Sequence, residues 1–183
     1  MPDEMIIRHC APTLAGMKTG NMFTYHFKDA SELRETVRRV NTLLKGKGIR
    51  VLPLRYQKNC ALIYLYRPSK LSKDLENDVA RTILTECGYC VNSSKCLIRN
   101  LIARLNSCSD FPHEIGLFLG YPPEDVLGFI RNQARGYKCV GCWKVYGDEE
   151  KAKKTFERYK KCTNTYCRCY MQGKSIERLT VAV

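Results

Sequence analysis

Apolar residues change period several times along the first third of the chain, and each change marks an element. Leu33, Val37, Val40 and Leu44 recur at spacings of four, three and four, the buried stripe of a helix. Asp29 with Glu32 forms an N-terminal cap pair ahead of that stripe, and Gly46 and Gly48 stop it. Upstream, residues 9–20 read as a short helix with Pro12 at its first position, Lys18 in its last turn and Gly20 near its C-cap. Residues 21–27 then read as a strand. Two apolar runs, 49–56 and 60–66, are joined by Gln57-Lys58-Asn59, the spacing of a hairpin. Pro53 lacks an amide donor and sends the first of these strands to an edge. The second is apolar on both faces, which suits a central strand covered on both sides.

Beyond Pro68 the pattern turns helical. Leu71, Leu75, Val79 and Ile83 share one helical face, and Ser93 or Ser94 caps a helix carrying Leu97, Ile98, Leu101, Ile102 and Leu105. Residues 111–120 read as a short buried helix ended by Gly120, and Tyr121-Pro122-Pro123 starts another that buries Val126, Phe129 and Ile130. Residues 139–146 suit a short strand or ordered loop. Asp148 caps a final helix with Ala152, Thr155, Phe156, Tyr159, Cys162, Tyr166 and Cys169 as its inner stripe. Together these elements predict an α+β fold. It has a small, mainly antiparallel sheet of about three strands in the N-terminal half, covered by helices, and an α-helical C-terminal half. A single domain over 1–183 is expected, subdividing naturally into an α/β part (1–68) and a helical part (69–183).

Composition narrows this picture. The 183 residues carry a net charge of +13, distributed as basic ends around a mildly acidic middle. Charge alone points to a polyanion such as nucleic acid, but no finger spacing, RNA-binding aromatic signature or Gly-rich phosphate loop accompanies it. No run approaches the roughly 20 apolar residues of a membrane span, and the first residues do not form a secretory signal. These features predict a cytoplasmic protein with no membrane partner. The 11 cysteines are an odd number, so they cannot all pair, and in a reducing compartment they are free thiols, metal ligands or redox groups.

Four constellations carry chemistry. Cys10, beside His9 and just ahead of the helix expected at Pro12, would sit where a helix dipole stabilises a thiolate. It is the candidate nucleophile, with His113 or His26 as base. Cys139 and Cys142 form a CxxC, followed by Cys162 and Cys167. The first pair suits a zinc ribbon, whereas the second is five residues apart rather than three, so zinc or iron–sulfur is not favoured over no metal. Cys87 and Cys90 form a second CxxC, but at the end of a helix rather than its start, against a thioredoxin-like role. His113 and Glu114 fall in the first turn expected behind Pro112, where free amides bind an anion. Trp143 and Tyr146, beside Lys144, offer rings for a flat ligand.

Three stretches also resemble a bacterial family. They are His9-Cys10-Ala11-Pro12-Thr13-Leu14-Ala15-Gly16 with Lys18 and Asn21, the run from Phe111 to Pro122, and Gly141-Cys142-Trp143-Lys144-Val145-Tyr146-Gly147-Asp148. They are similar to a family of anaerobic Gram-positive bacteria known as domain of unknown function 3793. The resemblance covers nearly the whole chain and implies one full-length module without supplying a reaction. The expectation is a thiol-containing protein that binds a small molecule, a metal or a protein. Its pocket would draw on the Cys10, His113 and Trp143 segments, with His9, Lys18, Asn21, Glu114, Trp143 and Tyr146 as ligand contacts. The alternatives are a cysteine-dependent enzyme using Cys10 and His113, and a basic polyanion-binding module.

Overall fold

The computed structural model describes residues 1–91, 93–107 and 111–182. In chain order the elements are α1 (Asp3–Leu14), β1 (Gly20–His26), α2 (Ala30–Leu44), β2 (Arg50–Gln57), β3 (Cys60–Tyr66), α3 (Pro68–Asp74), α4 (Asp78–Glu86) and α5 (Ser94–Ser107). There follow α6 (Ile115–Phe118), α7 (Pro123–Arg131), the short strands β4 (Cys139–Val140) and β5 (Lys144–Val145), α8 (Glu149–Met171) and α9 (Ile176–Leu179). The fold is α+β, with its three-stranded antiparallel sheet in the N-terminal half. The chain forms two compact units, Met1–Ser69 with Tyr159–Val183, and Lys70–Arg158. Among the described residues, no helix is long and apolar enough to cross a membrane.

In the first unit the sheet order is β1-β3-β2, with β3 in the centre as its two-sided apolar pattern requires. Phe23 and Tyr25 on β1 lie opposite Ile63 and Ala61. Pro53 falls on the edge strand, where the missing amide is tolerated, and the register shifts between Pro53 and Arg55. The core joins Ile6, Ile7 and Leu14 of α1 to Leu33, Val40 and Leu44 of α2, and to Ile176 and Leu179 of α9. Asp29 caps α2 by accepting from the amides of Ser31 and Glu32 at 2.8 and 2.9 Å, while Glu32 reaches back to the Lys28 amide at 2.8 Å.

One fully buried cation closes this unit. Arg67 donates from Nε to the Thr13 carbonyl (2.7 Å) and from Nη1 to Lys47 (3.0 Å). Its Nη2 serves Leu14 (2.8 Å) and Val181 (2.7 Å). Thr13 and Leu14 end α1, so the guanidinium satisfies orphan carbonyls at the negative end of the helix dipole.

Three local expectations are corrected. Helix α1 starts at Asp3 rather than Pro12, and Pro12 lies inside it. Ile6, Ile7, Cys10, Ala11 and Leu14 already keep a helical stripe, Asp3 and Glu4 favour the dipole, and the helix ends two residues past the proline. The helix expected through Leu71, Leu75, Val79 and Ile83 is split in two. Asn77 caps α4 by accepting from Val79 and Ala80 at 3.0 and 3.2 Å, and Val79 is left exposed. Finally, α6 begins at Ile115, so His113 and Glu114 occupy the turn before it.

Candidate functional site

The second unit, Lys70–Arg158, carries the site. Pro122 and Pro123 set the start of α7, which places Asp125 in its first turn. That carboxylate is almost wholly buried, yet three donors meet it. The amides of Tyr146 and Gly147 donate to Oδ1 at 2.7 Å each, and Trp143 Nε1 donates to Oδ2 at 2.7 Å. Asp125 thus fixes the β5 segment against α7 and sets the plane of the indole. Trp143 is also held by ring contacts, 4.9 Å from Tyr121 and 4.6 Å edge-on to Phe156. Two glycines permit this packing. A Cβ at Gly141 would lie 2.2 Å from the Phe156 ring, and one at Gly128 would lie 2.5 Å from the Tyr146 ring.

These contacts leave a cavity of about 210 Å³. Its walls include the rings of Phe111, Tyr121, Phe129 and Trp143, and its polar lining is His113, Asp125 and Lys144. The exposed His113 ring meets Phe129 at 5.0 Å in an edge geometry. Lys144 Nζ donates to the Ala134 carbonyl at 2.9 Å and lies 4.7 Å from the centre of the Tyr137 ring. The Tyr146 hydroxyl is buried without a hydrogen-bond partner among the described residues, and burial, with Tyr137 and Asp125 nearby, raises its pKa.

Glu114 does not line this cavity; it ties its turn to α5 and to the end of α4. Its Oε1 accepts from Tyr89 Oη at 2.9 Å and Arg104 Nε at 2.7 Å, while Arg104 Nη1 holds the Cys87 carbonyl at 2.9 Å. Burial first, then Glu114, pushes the Tyr89 hydroxyl far above its ordinary pKa.

The remaining candidates lie elsewhere. Cys10 belongs to the first unit, in the third turn of α1 rather than at a helix start. It is fully buried, and burial pushes its thiol well above the usual range, with Lys18 opposing. His9 is exposed and stacks on Phe23 at 5.3 Å, Lys18 is buried, and Asn21 accepts from the Thr13 hydroxyl at 2.7 Å. His26 is exposed at the end of β1. Cys139 and Cys142 belong to the second unit, and Cys162 and Cys167 to the first, on the later part of α8. Among the described residues, no group of three or more His, Cys, Asp or Glu side chains is placed to hold a metal ion.

The cavity is lined by His113, Trp143 and Lys144 from segments singled out in the sequence, and by Asp125, Tyr121 and Phe129, which sequence reasoning did not single out as candidates. The available signal was aromatic density flanking the Pro122-Pro123 pair. Fold and site together define an α+β protein with an aromatic-walled cavity in its helical unit. The chain belongs to the family described as protein of unknown function DUF3793, whose model matches residues 6–180. Comparison with curated proteins and with solved structures finds no match.

Proposed function

We propose that this protein binds a small planar organic molecule in the cavity walled by the His113 and Trp143 segments. The observation that carries the reading is the make-up of that cavity, four aromatic rings around about 210 Å³ with cationic nitrogen at the edge. A cavity of about 150 Å³ admits benzene, so this one suits a substituted single ring or a small bicycle. Asp125 already accepts three hydrogen bonds and serves to orient Trp143. The groups left to meet a ligand's polar end are N–H donors, Lys144 and His113, and they favour an acceptor or an acid over an amine. The buried Cys10 thiol is not used in this reading.

Trp143 is the single tryptophan, so its emission reports on the cavity directly. Titration with benzoate and with indole should give saturable quenching, abolished in Tyr121→Ala. Lys144→Gln should weaken benzoate about tenfold, the scale of a charged hydrogen bond, and leave indole unchanged. Absence of saturable quenching by both probes in the folded wild-type chain would overturn the proposal.

A further inference from the structure

A second constellation, independent of the cavity, lies where α4 gives way to α5. Cys90 is exposed, and Cys96 is half-buried in the first turn of α5. Cys90 lies close enough to Cys96 to push its thiol up, ahead of the effect of burial. The backbone is built to keep them together. Ser93 Oγ accepts from the Cys96 amide at 3.2 Å, fixing the start of the helix. Asn100, one turn further on, accepts from the Cys90 amide at 2.8 Å and donates to the Cys96 carbonyl at 3.3 Å. One side chain thus clamps both cysteine residues.

We propose that Cys90 and Cys96 are a redox couple that closes reversibly to a disulfide. The pairing differs from the CxxC that the spacing suggests. Cys87 is the half-buried C-cap of α4, its carbonyl is engaged by Arg104, and burial with Glu114 nearby holds its thiol protonated. Cys90 is exposed to solvent and is the sulfur that an incoming oxidant meets first. Cys96 is half-buried in the first turn of a 14-residue helix, and Cys90 first, then burial, raises its thiol, with Arg99 opposing, which suits the group that attacks second.

The oxidant is a low-molecular-weight disulfide. The Cys90 thiolate attacks one of its sulfurs, forming a mixed disulfide and expelling one thiolate. Cys96 then gives its proton to solvent and attacks Cys90 Sγ, forming the internal bond and expelling the second thiolate. Two protein thiols are oxidised by two electrons, and the small disulfide is reduced to two thiols.

The experiment treats the full chain with oxidised glutathione, quenches in acid, alkylates the remaining thiols and maps the peptides by mass. The expected result is loss of two alkylatable thiols and a Cys90–Cys96 link that dithiothreitol reverses. Cys96→Ser should instead retain one glutathione on Cys90. Asn100→Ala should slow closure about tenfold, the worth of its two hydrogen bonds, without slowing the first attack. A glutathione adduct that persists on wild-type Cys90, or links among other cysteines that form first, would overturn the proposal.

Discussion

Arg67 in the first unit and Asp125 in the second are both almost wholly buried, and both direct their hydrogen bonds mainly to the main chain. Their partners differ in a way that separates their roles. Arg67 gathers carbonyls from the end of α1, from Lys47 and from Val181, segments distant in sequence. It joins three pieces of chain and closes the space between them. Asp125 takes all its donors from residues 143–147, and beside it lies an open cavity. Buried charge therefore does two jobs here, locking a fold in one unit and aiming a ring at a cavity in the other.

The largest test of this comparison is Arg67→Met, which leaves the carbonyls unpaired and should cost about 3–5 kcal/mol in urea unfolding. Arg67→Lys should recover only part of the loss, because an ammonium lacks the planar fork. A fully stable Arg67→Met chain would break the comparison. Asp125→Ala should cost about 2–3 kcal/mol and should also abolish indole binding, measured by Trp143 emission. Asp125→Asn keeps an acceptor for the backbone amides and should lose about half as much. If Asp125→Ala lowers stability but binds indole normally, the distinction between lock and aim fails. Gly141→Ala drives a methyl into Phe156 and should cost about 1–3 kcal/mol, showing whether the wall depends on close backbone approach.

The smallest effect concerns Tyr89. Its folded pKa lies above the ordinary value of about 10, so its contribution to stability is full below that pH and is lost as pH rises towards the folded value. Tyr89→Phe should cost about 1 kcal/mol at neutral pH and flatten the alkaline decline seen by circular dichroism.

Features that depend on neighbours in sequence were legible. The cap at Asp29, the stripe of α2 and the central place of β3 all follow from local period and polarity. Pro12 misled because a proline suits a first turn statistically, while the apolar stripe already ran from Ile6. That error moved Cys10 from an expected helix start to the third turn and a buried core. Asp125 was illegible for another reason. Its donors lie 18 to 22 residues away, and nothing periodic links an acid after two prolines to a tryptophan in a later hairpin.

The division of the first unit has a consequence for the chain as it is made. Its sheet and α1 leave the ribosome before the second unit, but α9 and the Val181 carbonyl that Arg67 holds come after it. The second unit is one continuous stretch and has all its residues while the first still waits. At about 5–20 residues per second, the delay between α3 and α9 is roughly ten seconds. Throughout it, Ile6 and Leu14 lack the Ile176 and Leu179 that complete their core. The order of synthesis therefore favours the helical unit folding first and leaves apolar surface on the sheet unit open to chaperones until α9 emerges.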